Sequence, residues 1–208
     1  LNRFENNLAK FITKSIYENG SLLSINYFLE MNDGNVLIGT ESGIKVFNTN
    51  DESIRDFKTF FKSKENYFES LYIYSFYLDT DSCLWVGTRD SGLYIYDIKS
   101  DKVIDVSEEL DIKKLNHAVV REMVCDEFGN FWVATNVGLC CINLKDNSYV
   151  FYNHDKKDKK SIPHDDIFDL MLSEMIYSKQ KARNIPCFNF IRAYNSRCRS
   201  RCLFSYLH

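Results

Sequence analysis

The sequence predicts an all-β chain built from repeated four-stranded antiparallel sheets, and three observations predict it. First, the blocks GNVLIGTESGIKVFN (34–48), SCLWVGTRDSGLYIYD (82–97) and GNFWVATNVGLCCIN (129–143) share one phase. Their aligned threonines, Thr40, Thr88 and Thr135, stand 48 and 47 residues apart. Second, seven of the eight glycines and both tryptophans, Trp85 and Trp132, fall inside these blocks, so the composition itself follows the repeat. Third, each repeat holds room for four short strands in roughly 45 residues, the arithmetic of a β-propeller blade. The expected fold is a partial propeller of about three to four such blades with an irregular C-terminal tail.

The first strand of each repeat starts at Ile25, Ile73 or Val120, followed at the same offset by Phe28, Phe76 or Met123. Turn chemistry comes next in Asp33-Gly34 and Phe128-Gly129-Asn130. The second strand is the apolar run typified by LWVGT, and Gly43, Gly92 or Gly138 then gives the backbone freedom needed for reversal. A third strand follows, as in 43–48, and a fourth is expected at Ile54 to Phe60 or Tyr149 to Tyr152.

Partial repeats flank these three. Residues 1–13 align with the third and fourth strands, Leu1 falling opposite Ile44, Leu93 and Leu139. SIPHDDIFDLMLSE (161–174) reads as a new first strand, with Ile167 placed 47 residues after Val120. The domain reading is therefore 1–174 as repeats: 1–20 the end of a blade, 21–70, 71–115 and 116–160 blades, 161–174 the start of a truncated blade. Residues 175–208 form a non-repeat basic Cys/Arg-rich tail.

Composition excludes several classes. The 208 residues carry 26 Lys+Arg and 29 Asp+Glu with 15% aromatics, which is neither a disordered chain nor a globally basic nucleic-acid binder. Only 2 Pro and 8 Gly argue against collagen-like or linker composition, and no run long enough to span a bilayer occurs. After Glu174 there is no acid, and seven Lys and Arg give +7, leaving −10 before it. Cys83, Cys125, Cys140, Cys141, Cys187, Cys198 and Cys202 are odd in number and irregular in spacing, so neither a disulfide framework nor a zinc site is expected. Cys125, Cys140 and Cys141 read as small buried hydrophobes.

GNVLIGTESGI, CLWVGTRDSGLYIYD and GNFWVATNVGL, together with YNHDKKDKKSIPHDDIFDLMLSE, resemble two-component regulator propeller repeats over about 1–174. That family's pattern is an Asp, a turn Gly, an aromatic-aliphatic pair, Gly-Thr, a spacer, then Gly-Leu and Tyr/Phe-Asp. Leu37 departs from it where Trp is usual, and Ala134 where Gly is usual. The resemblance implies the sensor region of a bacterial hybrid histidine kinase or diguanylate cyclase, outside the membrane, reading a small molecule or saccharide. Its partners would be the membrane and output domains of the same receptor, which this chain does not encode. A propeller interaction scaffold is the alternative, and a propeller lyase or glycosidase a third reading.

No catalytic, metal or cofactor residue is predicted, because no convergent carboxylates, His/Tyr pair or ligand spacing repeats. Trp85 and Trp132 read as blade-packing residues, and Thr40, Thr88 and Thr135 as structural. His117, His154 and His164 read as solvated loop histidines. The run HDKKDKK (154–160) reads as a solvated loop, and Asp165, Asp166 and Asp169 lack the spacing of a calcium loop. Asn26, Tyr74 and Arg121 hold one position of the first strand while differing in type, which makes them the positions where a ligand could be read.

The tail pattern RCRSRC fits a shifted reading frame whose unshifted form would encode an apolar span, as in a remnant of a longer receptor. Incomplete blades leave unpaired strand edges, so low solubility of the isolated product is expected.

Overall fold

Apolar runs without alternation, such as those before Thr40, Thr88 and Thr135, suit strands buried on both faces. The computed structural model describes residues 2–5, 10–13, 15–18, 20–79, 82–171 and 190–193. A ribbon of β1 (Asn2–Glu5) and β2 (Lys10–Thr13) is followed by a short hairpin, β3 (Tyr17–Glu18) and β4 (Ser21–Leu22). Three four-stranded antiparallel sheets follow, each a simple meander. The first comprises β5 (Ile25–Glu30), β6 (Asn35–Thr40), β7 (Gly43–Asn48) and β8 (Ile54–Asp56), with α1 (Phe57–Phe61) after it. The second comprises β9 (Ile73–Leu78), β10 (Cys83–Thr88), β11 (Leu93–Asp97) and β12 (Lys102–Asp105), followed by α2 (Val106–Glu109). The third comprises β13 (Val120–Cys125), β14 (Asn130–Thr135), β15 (Gly138–Asn143) and β16 (Tyr149–Tyr152). Last come β17 (Ile167–Met171) and β18 (Phe190–Ala193), an antiparallel pair. The fold is a partial β-propeller, with the first strands β5, β9, β13 and β17 side by side along its inner edge.

Apolar clusters fill the spaces between blades. Leu37, Val46, Phe57 and Phe68 meet Ile73, Phe76, Leu84 and Tyr96 between the first and second blades. Trp85, Leu93, Ile112 and Leu115 meet Val120, Met123 and Phe131 between the second and third. Trp132, Ala134 and Leu139 meet Ile162, Ile167 and Leu170 beyond the third. Leu37, Trp85 and Trp132 thus share one position, pointing at the following blade. Trp85 lies 4.1 Å, centroid to centroid, from Phe131, and Trp132 Nε1 donates to Asp126 Oδ2 at 3.1 Å.

One expected strand is shortened. The segment Ile54 to Phe60 is strand only to Asp56 and then turns into α1. The reason is packing: Phe57 is withdrawn between blades, edge-on to Phe68 at 5.0 Å and to Tyr96 at 4.9 Å. Lys62, at φ 53, ends the helix in the left-handed region.

The threonines close the turn between second and third strands. Each hydroxyl donates to a glycine carbonyl, Thr40 to Gly43 at 2.8 Å, Thr88 to Gly92 at 2.8 Å and Thr135 to Gly138 at 2.6 Å. The same oxygens accept from the N–H of Ser42, Ser91 and Val137. Gly92 has φ +79, and a Cβ there would stand 2.5 Å from the Leu115 carbonyl oxygen, so the connection to the next blade also requires glycine.

Residues 190–193 fall within the span read as a tail, so that span contributes a strand. The rest of 175–208, including Cys187, Cys198 and Cys202, lies outside the described residues.

Candidate functional site

Every inner strand carries a β-bulge at the same place. The pairing skips Asn26, Tyr74, Arg121 and Phe168 in turn. A bulge re-aims its side chain without altering the rest of the ladder, so these four positions form a variable ring on a constant backbone. Asn26 Nδ2 donates to the Ile73 carbonyl at 3.0 Å, tying the first blade to the second. Arg121 repeats that bond to the Ile167 carbonyl at 3.4 Å, pairs with Asp166 and lies 4.1 Å over the Phe168 ring. Tyr74 instead meets Tyr72 edge-on at 5.2 Å.

A second ring flanks the first. The residues after the three threonines, Glu41, Arg89 and Asn136, donate their N–H to the carbonyls of Ser24, Tyr72 and Val119 at 3.3, 2.9 and 3.3 Å. Glu41 Oε1 accepts in return from Ser24 N at 3.1 Å, and Asn136 Oδ1 from Val119 N at 2.9 Å. Arginine has no acceptor. The Arg89 guanidinium lies 5.0 Å over the Tyr72 ring instead, at an exposed position. Tyr72, Tyr74 and Arg89 therefore form an aromatic and cationic spot on the second blade.

Residues 67–90, which include this spot and the second strand of the second blade, match the Two component regulator propeller family. That stretch carries one two-component regulator propeller repeat. Among curated proteins, none matches the chain. Its fold is similar to that of the extracellular domain of the hybrid two component system BT4673 from B. thetaiotaomicron, at 15% identity and a TM-score of 0.64, over 84% of this chain and 22% of that one. It is also similar to the corresponding domain of BT3049 from the same organism, at 18% identity and a TM-score of 0.65, over 98% of this chain and 27% of that one. PorZ, a surface component of the type-IX secretion system of Porphyromonas gingivalis, is similar at 14% identity and a TM-score of 0.58, over 82% of this chain and 26% of that one. This chain thus spans about a quarter of each of those solved chains.

One residue beyond each bulge, the propeller repeat places Tyr27, Ser75, Glu122 and Asp169. Ser75 Oγ donates to the Val120 carbonyl at 3.2 Å, the second blade's counterpart of the Asn26 and Arg121 bonds. Tyr27 OH donates to Glu122 Oε1 at 3.1 Å, reaching from the first blade to the third. Burial pushes the Glu122 carboxyl up, the negative charge of Asp169 adding to the shift against bonds from Met123 N and Tyr27. Burial, then Glu122, pushes the Tyr27 hydroxyl up to about 12. The pair can hold a proton, but its oxygens are bonded to each other.

The remaining polar residues of the sequence reading do not converge. Asp165 accepts from Asn153 Nδ2 at 2.9 Å and His154 N at 2.8 Å, Asp166 pairs with Arg121, and Asp169 stands beside Glu122. His154 Nδ1 contacts the Ile162 carbonyl at 2.8 Å, His117 Nδ1 the Asp90 carbonyl at 3.2 Å, and His164 Nδ1 accepts from Asp166 N at 2.9 Å. Burial pushes the Cys140 and Cys141 thiols up to about 12, which disfavours their thiolates. Among the described residues no group of His, Cys, Asp and Glu could hold a metal ion. A cleft of about 420 Å³ beside the first blade includes Lys45, whose charge is matched by Glu18 and Asp56, both at 2.7 Å.

The sequence reading placed Asn26, Tyr74 and Arg121 at one equivalent position without assigning them as a site, and did not single out Tyr72 and Arg89. The detectable trace was the variation Glu41, Arg89, Asn136 immediately after the conserved-in-phase threonines.

Proposed function

We propose that this chain is a ligand-sensing propeller fragment of a bacterial membrane signal-transduction receptor, working in two-component or cyclic-di-nucleotide signalling. The observation that carries the reading is the ring Asn26, Tyr74, Arg121 and Phe168: four chemically different side chains on four equivalent bulges. Selection for packing alone would favour repetition there, as it does at the threonines. The family match and the likeness to extracellular sensor domains support the same reading. Among the described residues no helix is long and apolar enough to cross a membrane, which suits a part lying outside it.

The fragment acts as a binding module and not as an enzyme. Its ligand is an extracellular small molecule or saccharide, stacked on Tyr72 and Tyr74 and held by Arg89. Its partners are the membrane and output domains of the same receptor, and nucleic acid is not among them.

A panel of neutral and uronate-bearing oligosaccharides, read by thermal shift and calorimetry, tests this. A hit whose shift disappears in both Tyr74→Ala and Arg89→Ala, with the unliganded melt unchanged, is expected. No hit, or a hit indifferent to both replacements, contradicts it.

A further inference from the structure

The residue after each threonine faces a backbone N–H just ahead of the same blade's first strand. In the first blade that N–H belongs to Ser24, and the acceptor is the Glu41 carboxylate, Oε1 at 3.1 Å. In the third it belongs to Val119, and Asn136 Oδ1 accepts at 2.9 Å. The main chain is placed alike in the second blade, where Arg89 N donates to Tyr72 O at 2.9 Å, as Glu41 N and Asn136 N do to Ser24 O and Val119 O at 3.3 Å. Arginine carries donors only. The Tyr72 N–H therefore receives no acceptor from the position that supplies one in the other two blades.

Charge at this place is reversed as well. Arg89 is exposed, and its guanidinium lies 5.0 Å over the Tyr72 ring, with no carboxylate at ion-pair distance among the described residues. Asp90, next in the chain, turns its carboxylate to Ser91 Oγ at 3.2 Å. Arg121 differs, because Asp166 pairs with it and the Ile167 carbonyl accepts from it, so its charge is already answered. The second blade thus offers a main-chain donor and a cation where the first blade holds a carboxylate of its own.

We infer that the ligand supplies the missing carboxylate: a uronate group takes the place that Glu41 fills in the first blade, accepting from Tyr72 N and pairing with the Arg89 guanidinium, while its sugar ring lies against Tyr74. The inference rests on the sensing role and adds the class of ligand, an acidic saccharide read by the main chain as well as by charge. A planar carboxylate suits both donors, since one oxygen can meet the N–H and the other the guanidinium fork. A neutral sugar makes neither bond.

Calorimetry of the full chain with short oligosaccharides of galacturonic, glucuronic and mannuronic acid, each beside its methyl ester, tests this. The ester keeps the rings and removes the charge. One acid should bind, and its ester should bind about tenfold or more weakly, the loss of a charge-assisted hydrogen bond. Arg89→Gln, which removes the charge and supplies an acceptor from the chain itself, should lose the acid by a similar factor. Arg89→Lys, which keeps the charge and supplies no acceptor, should retain it.

NMR of protein carrying isotope-labelled tyrosine reads the main-chain bond with the site unaltered. The Tyr72 amide, assigned by its absence in Tyr72→Phe, should move to lower field with the acid and stay in place with the ester. An ester or neutral saccharide that binds as tightly as any acid, and is lost in Tyr74→Ala, overturns the inference and leaves the sensing role standing. Acid binding that survives Arg89→Gln, or that leaves the Tyr72 amide unmoved, overturns it too. Absence of binding by every saccharide, acid and ester alike, overturns both.

Discussion

Tyr27 of the first blade hydrogen-bonds to Glu122 of the third at 3.1 Å, across 95 residues of sequence. Two strands separated by a whole blade touch in this way only if the inner strands curve about a common axis. The contact also places a carboxyl where burial disfavours its charge.

Glu122 should make stability fall as pH rises. Its folded pKa is raised above the unfolded value, so the folded state binds more protons across the interval between the two, and stability declines as pH climbs through the raised value. Glu122→Gln keeps an acceptor for Tyr27 and Met123 and removes the charge. The melting temperature of the variant should match or exceed the wild type at neutral pH, and the excess should vanish in acid below the ordinary carboxylate range.

Asp101 should act in the opposite sense. Its carboxylate accepts from Ser63 Oγ at 2.6 Å, Lys64 N at 2.9 Å and Tyr96 OH at 3.1 Å, and the Ser63 bond leads the lowering of its pKa. Stability from this group is present above the unfolded pKa and is lost as pH falls through the folded one. Asp101 has φ 53, a conformation asparagine also tolerates, so Asp101→Asn changes charge more than backbone. The variant should melt lower than wild type at neutral pH, by a margin that shrinks as the wild-type carboxylate protonates. A constant margin from neutral pH to strong acid would refute the assignment.

Gly87→Ala should cost more than Gly39→Ala. A Cβ on Gly87 would stand 2.2 Å from Ser75 Oγ and 2.9 Å from the Val120 carbonyl oxygen, while one on Gly39 would meet only the Ile73 and Phe76 side chains at 3.0 to 3.3 Å. Overpacking against backbone costs about 1–3 kcal/mol. Urea unfolding of both variants checks the order.

Arg89→Asn should separate stability from recognition. With asparagine at this place, as at Asn136, the side-chain oxygen can accept from Tyr72 N and complete the bond the second blade lacks. Stability should hold or rise by up to about 1 kcal/mol, while the response to any oligosaccharide found for the wild type disappears.

What was legible in the sequence is what repeats. Thr40, Thr88 and Thr135 fixed the phase because each makes the same pair of local bonds. The phase in turn placed Asn26, Tyr74 and Arg121 on one ring. Contacts between blades were not legible: nothing local pairs Tyr27 with Glu122, and Phe57 leaves its strand only because a space between blades receives it. Arg89 went unnoticed because its significance lies in a bond it fails to make. The strand at 190–193 has no motif, and register alone places it.

A double-mutant cycle on Tyr27→Phe and Glu122→Ala tests the shared axis most directly. Curvature of the blades about one channel predicts a coupling of about 1 kcal/mol between the two residues. Additive effects, with no coupling beyond error, would mean that the first and third blades do not face each other across a common centre.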